Sequence, residues 1–186
     1  MIPSWLAAAT VASCCGLLPA AAAGAEDILE SLAPALVGAD LDSVLEGAEL
    51  ACRPVRADPD TRRCIPLPGA LQTLGGVGVS TVEALFVDQH LAQVIVYFPE
   101  SRFGDVLSVL TARLGEGRDW SVTLRSGMAG QFPAQIRIWE RDRFVLVAQQ
   151  YDRKIDRSSV IYGTSAAMGP LLDRIKSTPP GGLRDL

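Results

Sequence analysis

Side chains able to do chemistry are few in this 186-residue chain, and their spacing limits what that chemistry could be. His90 is the single histidine, so a general base there would need an acid brought from elsewhere; between two apolar runs it reads as a solvated turn residue. Glu140 and Asp142 come nearest to a carboxylate pair, yet Arg141 and Arg143 alternate with them, which is the pattern of a charged turn. Gly75, Gly76 and Gly78 lack the Lys followed by Ser or Thr that completes a phosphate-cradling loop, and are expected to shape a turn or bulge entering a strand. No Gly-x-Ser-x-Gly, His-Glu-x-x-His or calcium-loop pattern occurs. The sequence therefore assigns no catalytic residue, no cofactor and no metal site.

The cysteines carry more information. Residues 1–25 hold no charged side chain, residues 5–18 are small and apolar, and Ala23 and Ala25 flank Gly24 just before Glu26, which is the pattern of a signal peptide cleaved after Ala25. The amino-terminal Lys or Arg usual in such a leader is missing. A rival reading takes residues 11–14 as a lipoprotein box that would acylate Cys14 and tether the chain, and an uncleaved anchor is disfavoured by the Ala, Gly and Pro content. Cleavage after Ala25 leaves Cys52 and Cys64, expected to form a structural disulfide in a periplasmic or secreted protein. A net charge of −4, with basic residues scattered among acids, argues against a nucleic-acid partner, and no membrane span is expected in the mature chain.

These residues need a scaffold, and the pattern for one is strongest between residues 79 and 114. Val82, Ala84 and Phe86 alternate with Leu85 and Val87; a polar turn follows; then Ala92, Val94, Val96 and Phe98 resume the alternation. Pro99 ends that strand, Ser101 is placed to cap a helix, and Phe103, Val106, Leu107, Leu110 and Leu114 give it one apolar stripe before Gly115. Upstream, residues 26–46 read as helical in two pieces, and residues 50–54 and 62–67 as strands. Downstream, residues 120–124 hint at a strand and residues 127–133 at a loop. Residues 136–139 and 144–150 read as a hairpin, 159–162 as a strand, 165–175 as a helix and 177–186 as a flexible tail. The expected fold is one α+β domain over residues 26–176, an antiparallel sheet of hairpins covered by helices, with a pseudo-repeat of residues 40–98 in 101–162.

With Cys52 and Cys64 ahead of 86–91, 103–115, 139–144 and 159–162, this order resembles secreted bacterial α+β modules of the beta-lactamase-inhibitor-protein and small outer-membrane-lipoprotein kind. It also resembles two-cysteine periplasmic proteins with a Phe-x-Asp hairpin. The resemblance implies a sheet backed by helices and transfers no catalytic residue. The functional expectation is an exported, non-enzymatic module that binds a protein or envelope component through its sheet face or through residues 116–133. Trp139, Met128 and Phe132 are candidates to meet that partner, burial in the core being the preferred alternative. A hydrolase whose site assembles only in three dimensions and a scaffold lipoprotein tethered at Cys14 are the other readings.

Overall fold

The computed structural model describes residues 50–55, 58–66, 73–126, 130–141 and 144–185. The expected leader, Cys14, the helical stretch 26–46, Met128 and Asp142 lie outside these residues.

The hairpin at the centre is β5 (Thr81–Val87) with β6 (His90–Pro99). Its turn residues Asp88 and Gln89 have φ of 48° and 68°, the two consecutive left-handed positions that a type I′ hairpin turn requires. Val82, Ala84 and Phe86 are buried as the alternation predicts. The second strand departs from it: Leu85 pairs with Gln93 but Phe86 with Leu91, so Ala92 is the extra residue of a bulge and Leu91 takes its place on the Phe86 face.

Around this hairpin the chain adds β1 (Leu50–Val55), β2 (Asp58–Pro66), β7 (Arg118–Asp119), β10 (Ile136–Glu140), β11 (Phe144–Gln149) and β12 (Arg157–Thr164). They form one eight-stranded sheet in the order β1-β2-β5-β6-β12-β11-β10-β7, every neighbouring pair antiparallel. One rung runs Cys52, Cys64, Ala84, Val94, Tyr162, Leu146, Trp139, all on one face.

The α+β expectation is corrected here. Strand dominates, and the described residues hold only two α-helices, α1 (Phe103–Leu114) and α2 (Ser165–Lys176), one on each face of the sheet. Phe103, Val106 and Leu110 of α1 join Phe86, Val96, Leu146 and Tyr162; Met168, Leu171 and Ile175 of α2 join Ile138, Val145, Val147 and Ile161. Because adjacent residues of one strand enter opposite clusters, the helices lie on opposite faces. Each buried Leu, Ile or Val is worth roughly 1.5–3 kcal/mol, so this double packing dominates the stabilisation.

Local chemistry sets the boundaries. Ser101 does not cap α1. It sits in a short 3-10 turn, Glu100–Arg102, and Arg102 Nε bonds Asp105 Oδ2 at 2.7 Å instead. Gly115, at φ 77°, closes that helix by donating its N–H to the Thr111 carbonyl. Thr164 caps α2, its hydroxyl accepting from the Ala167 N–H at 3.2 Å. Gly75 and Gly76 turn β3 (Thr73–Leu74) into β4 (Val77–Gly78) with φ of 59° and 80°. A Cβ on Gly75 would overlap Val109 of α1, so the glycines serve a turn pressed against the helix.

Two stretches differ from expectation. Of residues 127–133, Gly130 onward belongs to β9 (Gly130–Ala134), which pairs β8 (Val122–Ser126); Pro133 is tolerated because β9 is an edge. The carboxy-terminal residues are docked: β13 (Leu183–Asp185) pairs β8 in parallel, and Trp120 Nε1 donates to the Thr178 carbonyl at 2.8 Å.

Candidate functional site

The residues singled out by sequence fall in separate places. Cys52 and Cys64 form a disulfide between directly opposed positions of β1 and β2. Trp139 is 2 % exposed, its Nε1 donating to the Gly115 carbonyl at 2.8 Å and its ring lying against Gly117, so it is spent on the core. Phe132 is half-buried, edge-on to Tyr151 with ring centroids 5.1 Å apart. His90 is exposed where β6 begins. Glu140 is paired with Lys176 at 2.7 Å, and that hydrogen bond holds its carboxyl below the usual range. Among the described residues no group of His, Cys, Asp and Glu is placed to hold a metal ion.

The feature that sequence reasoning missed is a half-face left uncovered by the described residues. Along the rung Ile138, Val147, Ile161, Ile95, Glu83 the cover runs out. The first three are buried beneath α2 and the small β13-β8-β9 sheet, Ile95 is half-buried, and Glu83 meets Arg63 at 3.6 Å. On the same face Ile65 and Val87 are 43 % and 38 % exposed, since their neighbours Cys64 and Phe86 point into the opposite core.

Where this bare half meets α2 the surface sinks into a groove of about 290 Å³. Leu85, Ile95 and Tyr97 form its floor, and Ala167, Pro170 and Leu171 the helix side. Its charged rim is Arg63, Arg153 and Arg174, with Asp152 the acid among them. These arginines come from β2, the β11–β12 connection and α2, far apart in sequence. No linear pattern announces them.

Each is positioned by identifiable forces. Arg153 has φ 61°, uncommon for a side chain without a local hydrogen-bonding group, and its Nε lies 4.0 Å from Asp152. The loop is closed by Arg157, whose guanidinium donates twice to the Asp152 carbonyl, at 3.1 and 3.3 Å. That guanidinium also lies 4.4 Å from the Tyr97 ring centroid, a cation–π contact that fixes the floor. Burial, then the nearby Glu83 and Asp152 carboxylates, raise the Tyr97 phenol above its ordinary value, so it is neutral and a donor at neutral pH. Beside the groove, burial and then the charge of Arg174 lower the Arg184 guanidinium, with Asp152 opposing. Guanidinium charge thus gathers here in a chain whose net charge is −4, and the chemistry on offer is recognition of carboxylates over an apolar floor.

No family model matches the chain, and no curated protein matches it. Among solved structures, an extracellular protein containing an SCP domain from Bacillus anthracis str. Ames is similar at a TM-score of 0.39 and 11 % identity, over 90 % of this chain. The chain spans about half, 51 %, of that protein. A likeness so slight transfers neither fold nor role. The comparisons do not support the resemblance to beta-lactamase-inhibitor proteins or outer-membrane lipoproteins.

Proposed function

We propose that this chain is an exported, non-enzymatic binding module that holds an acidic protein segment on the uncovered half of its large sheet. The observation that carries the reading is the convergence of Arg63, Arg153 and Arg174 around the apolar floor of Leu85, Ile95 and Tyr97. Such a surface pairs charge-assisted hydrogen bonds at its rim with apolar burial at its centre. Export is supported by the Cys52–Cys64 disulfide, since such bonds persist in oxidising compartments, and by the uncharged run of residues 1–25. Among the described residues no helix is long and apolar enough to cross a membrane.

The experiment is capture from an envelope extract by the immobilised mature protein, beside an Arg63→Glu/Arg153→Glu/Arg174→Glu variant and a control carrying Arg113→Glu on α1. A protein retained by wild type and control but lost by the triple variant, and competed by an acidic peptide, supports the reading. Equal retention by all three contradicts it, and selective retention of an anionic glycan or lipid replaces the protein partner with an envelope component.

A further inference from the structure

We infer that the occupant of this half-face is supplied by the chain itself, as residues 26–49. The inference rests on the binding face proposed above and names what sits there. Three observations carry it.

The first is charge. Residues 26–49 carry Glu26, Asp27 and Glu30, then Asp40, Asp42, Glu46 and Glu49, and no Lys, Arg or His. The only charged partners such a segment can satisfy are cations elsewhere, and Arg63, Arg153 and Arg174 are gathered on one surface. The second is apolar complementarity. Ile28, Leu29, Leu32, Leu36 and Val37 recur at the three- and four-residue steps of a helical stripe, which must be buried against something. The half-face leaves Ile65 and Val87 exposed and Leu85 and Ile95 half-exposed, apolar positions interleaved with Arg63, Glu83 and Gln93.

The third is reach. The described chain begins at Leu50 in β1, the edge strand on the uncovered side of the sheet. From β1 to β6 is three strand spacings, about 14 Å at roughly 4.8 Å each. The 24 residues from Glu26 to Glu49 supply, even at the 1.5 Å per residue of the most compact regular case, about 36 Å of chain, more than the distance across the bare half. A tethered segment also acts at an effective concentration near the millimolar range, so modest contacts suffice to keep it in place.

Limited thermolysin digestion of the chain beginning at Glu26 tests the inference, with mass spectrometry reading cleavage inside residues 26–49. The Arg63→Glu/Arg153→Glu/Arg174→Glu variant should be cut there about tenfold faster than wild type. The melting temperature of the disulfide-bonded sheet is read alongside to confirm that it is folded. Adding Asp40→Lys, Asp42→Lys and Glu46→Lys to that variant should restore slow cleavage, a reversal that general loosening cannot produce. Equal cleavage in wild type and variant overturns the inference, as does protection that grows with protein concentration, which assigns the site to a second copy. Free cleavage together with arginine-dependent capture of an acidic protein overturns this occupant and leaves the binding face standing; loss of both overturns both.

Discussion

At the scale of single residues, the groove rests on side chains held against local preference. Arg153 occupies a left-handed backbone position that costs a non-glycine residue on the order of 1 kcal/mol. Arg153→Gly should therefore leave urea stability unchanged or raised by up to about 1 kcal/mol while weakening acidic-ligand binding several-fold; a clear loss of stability would show that the residue is structural. Tyr162 makes the opposite case. Its hydroxyl is buried among apolar residues on the α1 face and finds no hydrogen-bond partner among the described residues, and burial raises the phenol's pKa. Tyr162→Phe should be neutral or stabilise by about 1 kcal/mol in urea unfolding, because it removes a desolvated polar atom and keeps the ring against Phe144. Destabilisation beyond about 1 kcal/mol would reveal a bond to that hydroxyl.

At the scale of elements, turns and ties decide what the strands can do. The Asp88–Gln89 turn uses two non-glycine residues at positive φ, so the Asp88→Asn/Gln89→Gly pair should raise stability by about 1 kcal/mol, measured by urea midpoint. A fall would mean that those side chains hold the turn in another way. The Cys52–Cys64 bridge closes a separation of 12 residues, and its reduction should cost roughly 3 kcal/mol, the slope of the urea transition reporting whether β1 detaches alone. The Lys176–Glu140 tie joins the end of α2 to β10. Since Glu140 is held below its usual pKa by that hydrogen bond, its contribution is present above the unfolded value, near pH 4.5, and is lost as pH falls through the folded one. Glu140→Gln should flatten the decline in stability below about pH 4.5, by under about 1 kcal/mol for so exposed a pair; an unchanged acid limb would contradict the tie.

Elements of this kind were partly legible in the sequence. The β5–β6 hairpin, α1, the β10–β11 hairpin and α2 follow from apolar period and turn chemistry, and the disulfide from the two cysteines that remain once the expected leader is set aside. What escaped is physical in origin. Strand β2 starts at Asp58, ahead of the expected 62–67, because Pro59, Asp60 and Thr61 carry no apolar alternation, and β9 contains Gly130 and Pro133. The docked carboxy-terminal residues read as a tail because backbone bonds to β8, which leave no compositional trace, hold them in place. Trp139 drew attention as a large aromatic, but its indole N–H has a carbonyl partner inside the fold. The arginines of the groove sit on a strand, a loop and a helix, and only the tertiary fold brings them together.

At the scale of the whole molecule, the sheet divides at β6 and β12 into two sets of four strands, and the last strand of each set runs on into a helix. The helices cover opposite faces, so no twofold axis relates the halves, and one consequence is asymmetric cover: α2 and the small sheet shield only the carboxy-terminal half of their face. The pseudo-repeat expected over 40–98 and 101–162 stands as a proposal about descent, to be weighed against this asymmetry. The central claim is that the bare half is where this protein meets its acidic occupant. Photo-crosslinking in the native compartment, from a benzophenone amino acid placed at Leu85 or, as control, at Ser108 on the outer side of α1, tests it most directly. Crosslinks from Leu85 to residues 26–49 or to an acidic protein, with none from Ser108, are the expected result; no crosslink from Leu85, or the same products from both positions, would contradict it.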